Sequence, residues 1–140
     1  MFIGEYTHSI DPKGRLAVPA KFRALLKDRV VVTKGLDGCL TLYPMPVFEE
    51  FAKELSSLSP NQSKNRSHVR NQLSGATDVT FDNQGRIMIP DNLRKFAGLT
   101  KAAVITGLYD RLEIWDQEKW NEYRENAEKN SDEIAENLEK

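Results

Sequence analysis

Two stretches of this 140-residue chain say nearly the same thing. Residues 11–23 read DPKGRLAVPAKFR, and residues 82–94 read DNQGRIMIPDNLR. Asp, Gly, Arg, Pro and a second Arg keep register in both. The likeness extends outward: Gly4 pairs with Gly75 and Ile10 with Phe81 at the same spacing. One residue further apart, Leu40-Thr41-Leu42-Tyr43 pairs with Leu112-Glu113-Ile114-Trp115, and Phe48 with Trp120. Two copies are too few for a solenoid, in which several repeats stack to bury a continuous core. The duplication therefore predicts one pseudo-twofold domain in which each half completes the other's core.

Within each copy the pattern is legible. Tyr6–Ile10 and Thr77–Phe81 read as strands, followed by a turn. Arg15–Val18 and Arg86–Ile89 alternate, with Leu16/Val18 and Ile87/Ile89 on one face, the period of a half-buried strand. Pro19 and Pro90 suit the start of a helix. Phe22, Leu25 and Leu26, or Leu93, Phe96 and Ala97, give that helix its apolar face, and Gly98 is a stop. The two strands and their turn read as a first hairpin, and a second follows: Val30–Thr33 into Leu40–Tyr43, and Val104–Thr106 into Leu112–Trp115. Between the copies, Pro46–Leu58 carries Phe48, Phe51, Ala52, Leu55 and Leu58 at helical spacing. Residues 61–73 read as a polar helix with Val69 and Leu73 inward. The tail Gln117–Glu139 reads as an acidic helix with Trp120, Tyr123, Ala127, Ile134 and Leu138 along one side.

Turn chemistry explains part of the repeated phrase. A type I turn favours Asp first, Pro second and Gly fourth, as in Asp11-Pro12-Lys13-Gly14. Asp82-Asn83-Gln84-Gly85 differs only in Asn for Pro. The carboxylate accepts backbone N–H groups, and Gly allows the positive φ of a bulged turn. Nothing in that chemistry requires Arg15 or Arg86, each the first strand residue after its turn, on the face opposite Leu16 or Ile87. The preceding Asp stands close enough to orient a guanidinium. Arginine suits a guanine edge or a phosphate. Two equivalent arginines in a pseudo-symmetric domain suggest a double-headed reader of duplex DNA.

The net charge of −1 at first argues against such a partner, but its distribution is uneven. Lys and Arg outnumber acids seven to four over residues 1–45 and eight to six over 46–109, and acids outnumber them eleven to five over 110–140. An acidic tail held beyond a Debye length, roughly 8 Å at physiological salt, does not cancel a basic face. Charge thus permits DNA without demanding it.

Other classes find less support. His8 and His68 have no Cys or carboxylate at metal-ligand spacing, and no Ser or Cys stands in a nucleophile motif, so neither a catalytic site nor a metal or other cofactor is expected. The Gly-rich stretch GLDG (35–38) lacks the Gly-Lys-Ser/Thr of a phosphate loop. Cys39, the single cysteine, reads as a core or edge residue. With no basic, apolar leader at the start, it points to a reducing cytosol. No apolar run approaches the ~20 residues that span a bilayer.

The paired D-x-x-x-R motifs, their G-R-[LI]-x-[VI]-P context, the opening MFIGEYTHSID, LYPMPVFEEF and LEIWDQEKW together closely resemble the MraZ family of AbrB-like, swapped-hairpin transcription factors. The resemblance covers about residues 1–125; the departures are minor, Asn83 where the first copy has Pro12 and Gln84 where it has Lys13, and the latter makes the second turn less basic. It implies an α+β fold, a double-split β-barrel built from two pseudo-symmetric β-turn-β-α-β-β halves. Residues 1–48 and 75–116 would be the two AbrB-like repeats, 49–74 a helical insert and 117–140 an acidic C-terminal helix of one domain spanning 1–140. It further implies a cytoplasmic, nucleoid-associated bacterial regulator without a small-molecule substrate. Such a regulator binds promoter repeats ahead of its own operon of cell-division and wall-synthesis genes, as a ring-shaped homo-oligomer. On this chain the DNA-facing residues would be Arg15 and Arg86, oriented by Asp11 and Asp82 on turns that contain Gly14 and Gly85. Lys13 would add a phosphate contact; Lys21, Arg23 and Arg94 are candidates for backbone contacts or plain surface charges. The competing expectation is a protein-interaction module of the antitoxin type, its acidic tail holding a partner protein.

Overall fold

Strand pairing runs mainly between the two halves. The computed structural model describes residues 1–139. The first half contributes β1 (Glu5–Ser9), β2 (Arg15–Ala17), α1 (Ala20–Leu26), β3 (Val30–Lys34), β4 (Leu40–Pro44) and α2 (Met45–Ser56). After α3 (Ser63–Ser74), the second half supplies β5 (Thr77–Val79), β6 (Arg86–Met88), α4 (Asp91–Ala97), β7 (Ala102–Gly107), β8 (Leu112–Asp116) and α5 (Gln117–Lys129), and α6 (Ser131–Glu136) follows.

One antiparallel sheet has the order β1-β7-β8-β4-β3-β5, and β2 pairs with β6 in a separate ribbon. Exchanging each strand for its counterpart reverses that order onto itself. The self-paired positions mark the pseudo-twofold axis: Thr41↔Glu113 in the sheet and Leu16↔Ile87 in the ribbon. Only β3–β4 and β7–β8 are hairpins within a half. The molecule is α+β, a split barrel built from two halves.

The duplication accounts for this closure. Leu16, Ile87, Val18 and Ile89 project inward from the ribbon segments and are at most 1 % exposed. They meet Val30, Val32, Leu40, Leu42, Ile105, Leu112 and Ile114 from the sheet in a single apolar cluster. The other face of the sheet is covered too. Tyr43 stacks on Phe51 of α2, with ring centroids 5.2 Å apart. The Thr33 hydroxyl donates to the Gln72 carbonyl of α3 at 2.8 Å. Trp115 packs against Trp120 and Tyr123 of α5, at 5.4 and 4.9 Å. Asp116 caps α5 by accepting the Lys119 N–H at 3.2 Å. Each half therefore ends its hairpin in a helix that lies back on the sheet.

Several expectations are corrected. The turn after β1 does not join a regular hairpin: β1 leaves to pair with β7, and β2 crosses to β6, with only the Ile10↔Leu16 bridge between them. That crossing brings Leu16 and Ile87 together on the axis. Leu25 and Phe96, read as core, are 45 % and 39 % exposed. Both helices are seven residues long, and only positions four apart, Phe22/Leu26 and Leu93/Ala97, reach the barrel. On α3 Gln72 is buried while Val69 and Leu73 are only half-buried, and Leu58 is largely exposed. The tail helix divides at Asn130, and Ile134 and Leu138 beyond it lie in solvent rather than on a docking face.

Candidate nucleic-acid interface

The two turns are built alike, atom for atom. Gly14 N–H donates to the Asp11 carbonyl at 2.9 Å, and Asp11 N–H to the Arg15 carbonyl at 3.1 Å. Asp11 Oδ1 accepts the N–H groups of Lys13 and Arg15 at 3.0 and 2.9 Å. That leaves Oδ2 for Arg15 Nε, at 2.5 Å. In the second turn Gly85 donates to the Asp82 carbonyl at 3.0 Å. Asp82 Oδ1 accepts from Gln84 and Arg86, both at 2.9 Å, and Oδ2 takes Arg86 Nε at 2.8 Å. Gly14 and Gly85 have φ of +87° and +73°, which a side chain would strain. One carboxylate thus fixes both the turn and the guanidinium that follows it.

The ribbon then brings the two turns together. Its register pairs Arg15 with Met88 and Ala17 with Arg86, so these four side chains share the outer face while Leu16 and Ile87 fill the inner one. The Arg15 and Arg86 side chains retain 33 % and 25 % of their exposure. They are near neighbours, for Arg86 Nη1 lies 3.8 Å from Asp11 Oδ2. With each Nε engaged by its Asp, the terminal amino groups remain to meet a ligand. Paired guanidinium groups of this kind suit phosphates and guanine edges.

The same contacts shift the acids. The Arg15 backbone N–H, reinforced by its guanidinium, holds the Asp11 carboxyl below its ordinary value of 3.8. The Arg86 N–H and guanidinium do the same for Asp82. A carboxyl depressed by folding stabilises its turn above the unfolded value and loses that contribution as pH falls through the lowered one. Both turns are therefore expected to stay intact from neutral pH to below 4. Carboxyl carbon chemical shifts recorded through an acid titration check this, with both midpoints expected under 3.8.

The remaining candidates divide. Lys13 stands exposed at the first turn. Lys21 Nζ sits 4.7 Å over the Tyr6 ring, a cation–π contact on α1. Arg23 and Arg94 are not loose surface charges: each guanidinium lies against the glycine of the opposite turn, Arg23 on Gly85 and Arg94 on Gly14. The turn template explains those glycines by their positive φ alone, and the guanidinium seated on each is a second cause. The second in-register Arg, eight positions after the first in each copy, was the available signal. Met88, opposite Arg15 in the ribbon and 53 % exposed, shares the outer face with the two arginines.

Outside this face, His8 lies on the edge strand β1 and His68 on α3 beside a cavity of about 170 Å³ shared with Lys34, Tyr43, Arg111 and Glu113. Cys39 is fully buried and donates its S–H to the Leu36 carbonyl at 3.1 Å. Burial, and then the Glu113 carboxylate, push its thiol up, away from the nucleophilic thiolate. No helix among the described residues is long and apolar enough to cross a membrane.

Comparison with known proteins places the chain among relatives along its whole length. A family model described as "MraZ protein, putative antitoxin-like" matches twice, over residues 1–71 and 72–140, one match to each repeat. The protein named "Transcriptional regulator MraZ" of Halothermothrix orenii is 52 % identical over 136 residues, covering 96 % of this chain and 94 % of that one. Its namesake in Pelotomaculum thermopropionicum is 50 % identical over 138 residues, 99 % and 95 % of the two chains. That of Pediococcus pentosaceus is 48 % identical over 138 residues, 99 % and 96 %.

Proposed function

This chain belongs to the MraZ family of transcriptional regulators, and from that premise we propose that it regulates transcription by binding duplex DNA through the Arg15/Arg86 face of its β2–β6 ribbon. One observation carries the reading: two guanidinium groups, each steered by its own Asp, stand side by side on an outward face. Arg15 and Arg86 reach base edges or phosphates from turns formed by Asp11, Gly14, Asp82 and Gly85, and Lys13 adds a phosphate contact. The target is a set of repeats in the promoter of its own cell-division and wall-synthesis operon. The protein acts in the cytoplasm at the nucleoid, as a ring-shaped homo-oligomer. One subunit engages few phosphates; a ring spanning several repeats gains affinity through effective concentration.

The family model's own description, antitoxin-like, and the exposed acidic α5 and α6 favour a second reading, in which the chain holds a partner protein. Duplex DNA as the ligand separates the two. DNA binding is expected to weaken steeply with ionic strength, log K falling by ~0.9 per neutralised phosphate for each tenfold rise in salt. A chain that only holds a partner protein on its acidic helices would leave the duplex unbound at any salt. Selection from a random DNA pool at two salt concentrations is expected to enrich one repeated sequence at both. Enrichment that vanishes at the higher salt would mean bulk electrostatics without readout.

A further inference from the structure

We propose that Arg23 and Arg94 are crossed positioning residues, each carried on the helix of one half and holding the arginine turn of the other half in its DNA-facing shape. The consequence for binding rests on the reading above; the geometry stands apart from it.

Each turn is anchored to the opposite half twice. The Gly14 carbonyl accepts the Ile89 N–H at 2.9 Å, just ahead of α4, and the Gly85 carbonyl accepts the Val18 N–H at 3.1 Å, just ahead of α1. The helix arginine then closes over the glycine. A methyl built on Gly14 would lie 2.6, 2.6 and 2.7 Å from Cζ, Nε and Nη1 of Arg94. On Gly85 it would lie 2.5, 2.5 and 2.8 Å from Cζ, Nη1 and Nε of Arg23. Near-equal distances to three atoms of one plane mean that the guanidinium lies flat against the glycine. Any side chain there would displace it.

Each guanidinium is also tied to its own half. Arg23 Nη1 donates to the Val18 carbonyl at 2.5 Å, and Arg94 Nη2 lies 3.5 Å from Asp91 Oδ1. Arg94 Nε is buried without a hydrogen-bond partner among the described residues. A group whose sole task was to meet a phosphate would not leave a donor sealed against a glycine. Flat stacking also needs the planar guanidinium, which lysine lacks. The brace is crossed: Arg94 serves the turn of Arg15, and Arg23 that of Arg86.

Arg94→Lys tests this, because it keeps the charge and removes the plane. In free protein, the Lys13 and Arg15 amides are expected to exchange hydrogen about tenfold faster, with Gln84 and Arg86 unchanged. Arg23→Lys should do the reverse. DNA affinity should fall with Arg94→Lys while its salt slope holds. Adding Arg15→Ala should then weaken binding less than the separate effects predict, whereas adding Arg86→Ala should multiply them. Wild-type exchange and affinity in Arg94→Lys, with a salt slope lowered by ~1 in Arg94→Met, would mean a phosphate contact and overturn the brace. Faster exchange in the turn of the same half would overturn it too. If Arg15→Ala leaves affinity untouched, the DNA reading fails, and the exchange pattern still decides the brace. Should Arg94→Lys fail to fold, Arg23→Lys makes the mirrored test.

Discussion

Replacing Arg15 and Arg86 together by alanine is expected to abolish DNA binding at physiological salt while the protein stays folded. Each arginine that engages a base contributes ~1–3 kcal/mol of discrimination. Losing both from one subunit thus weakens binding by roughly 30-fold to 10⁴-fold, and a ring multiplies the loss across its subunits. The fold should tolerate the change, because both side chains sit on the outer face of the ribbon while Leu16 and Ile87 fill the inner one. Gel shift and thermal melting on the same preparations separate the two effects. Either single variant should fall between, with Arg15→Ala the more damaging, since Lys13 stands beside it where the second turn has Gln84.

Phe22→Ala should produce the largest loss of stability. Its ring is 1 % exposed and packs edge-on against Phe2 and Tyr6, at 5.7 and 5.3 Å. Emptying such a site costs ~3–5 kcal/mol, which lowers the melting temperature by roughly 10–20 °C in a domain of this size. Leu25→Ala, on the same helix but 45 % exposed, should cost well under half as much. Denaturant melts of the two variants check this, and equal losses would mean that α1 packs through a different face.

The contrast between Phe22 and Leu25 marks where sequence reasoning ran out. Both lie on the apolar stripe of a short helix, and periodicity cannot say which of them meets the barrel; the crossing of helix over sheet decides that. The same limit applies to the ribbon. Alternation placed Leu16 and Ile87 inward and Arg15 and Arg86 outward, as observed, because a strand's period of two is local. The partner of β2 is not local. A tight turn favours β1, yet β6 wins because that pairing joins two apolar residues on the pseudo-twofold axis. The site was legible for a similar reason. Asp11 and Asp82 reach their arginines across four residues, a distance that turn chemistry fixes. Arg23 and Arg94 act across 62 and 80 residues instead, on Gly85 and Gly14. Only the repeated register of these arginines hinted that they mattered.

On the proposed reading, DNA lies on the outer face of the β2–β6 ribbon. A crystal structure of the assembled protein on its selected repeat tests it most directly. Terminal nitrogens of Arg15 and Arg86 are expected within about 3 Å of base edges or phosphate oxygens, with Asp11 and Asp82 still holding each Nε. A duplex seated against α2 and α3, or against the acidic α5, with the ribbon facing solvent, would contradict it.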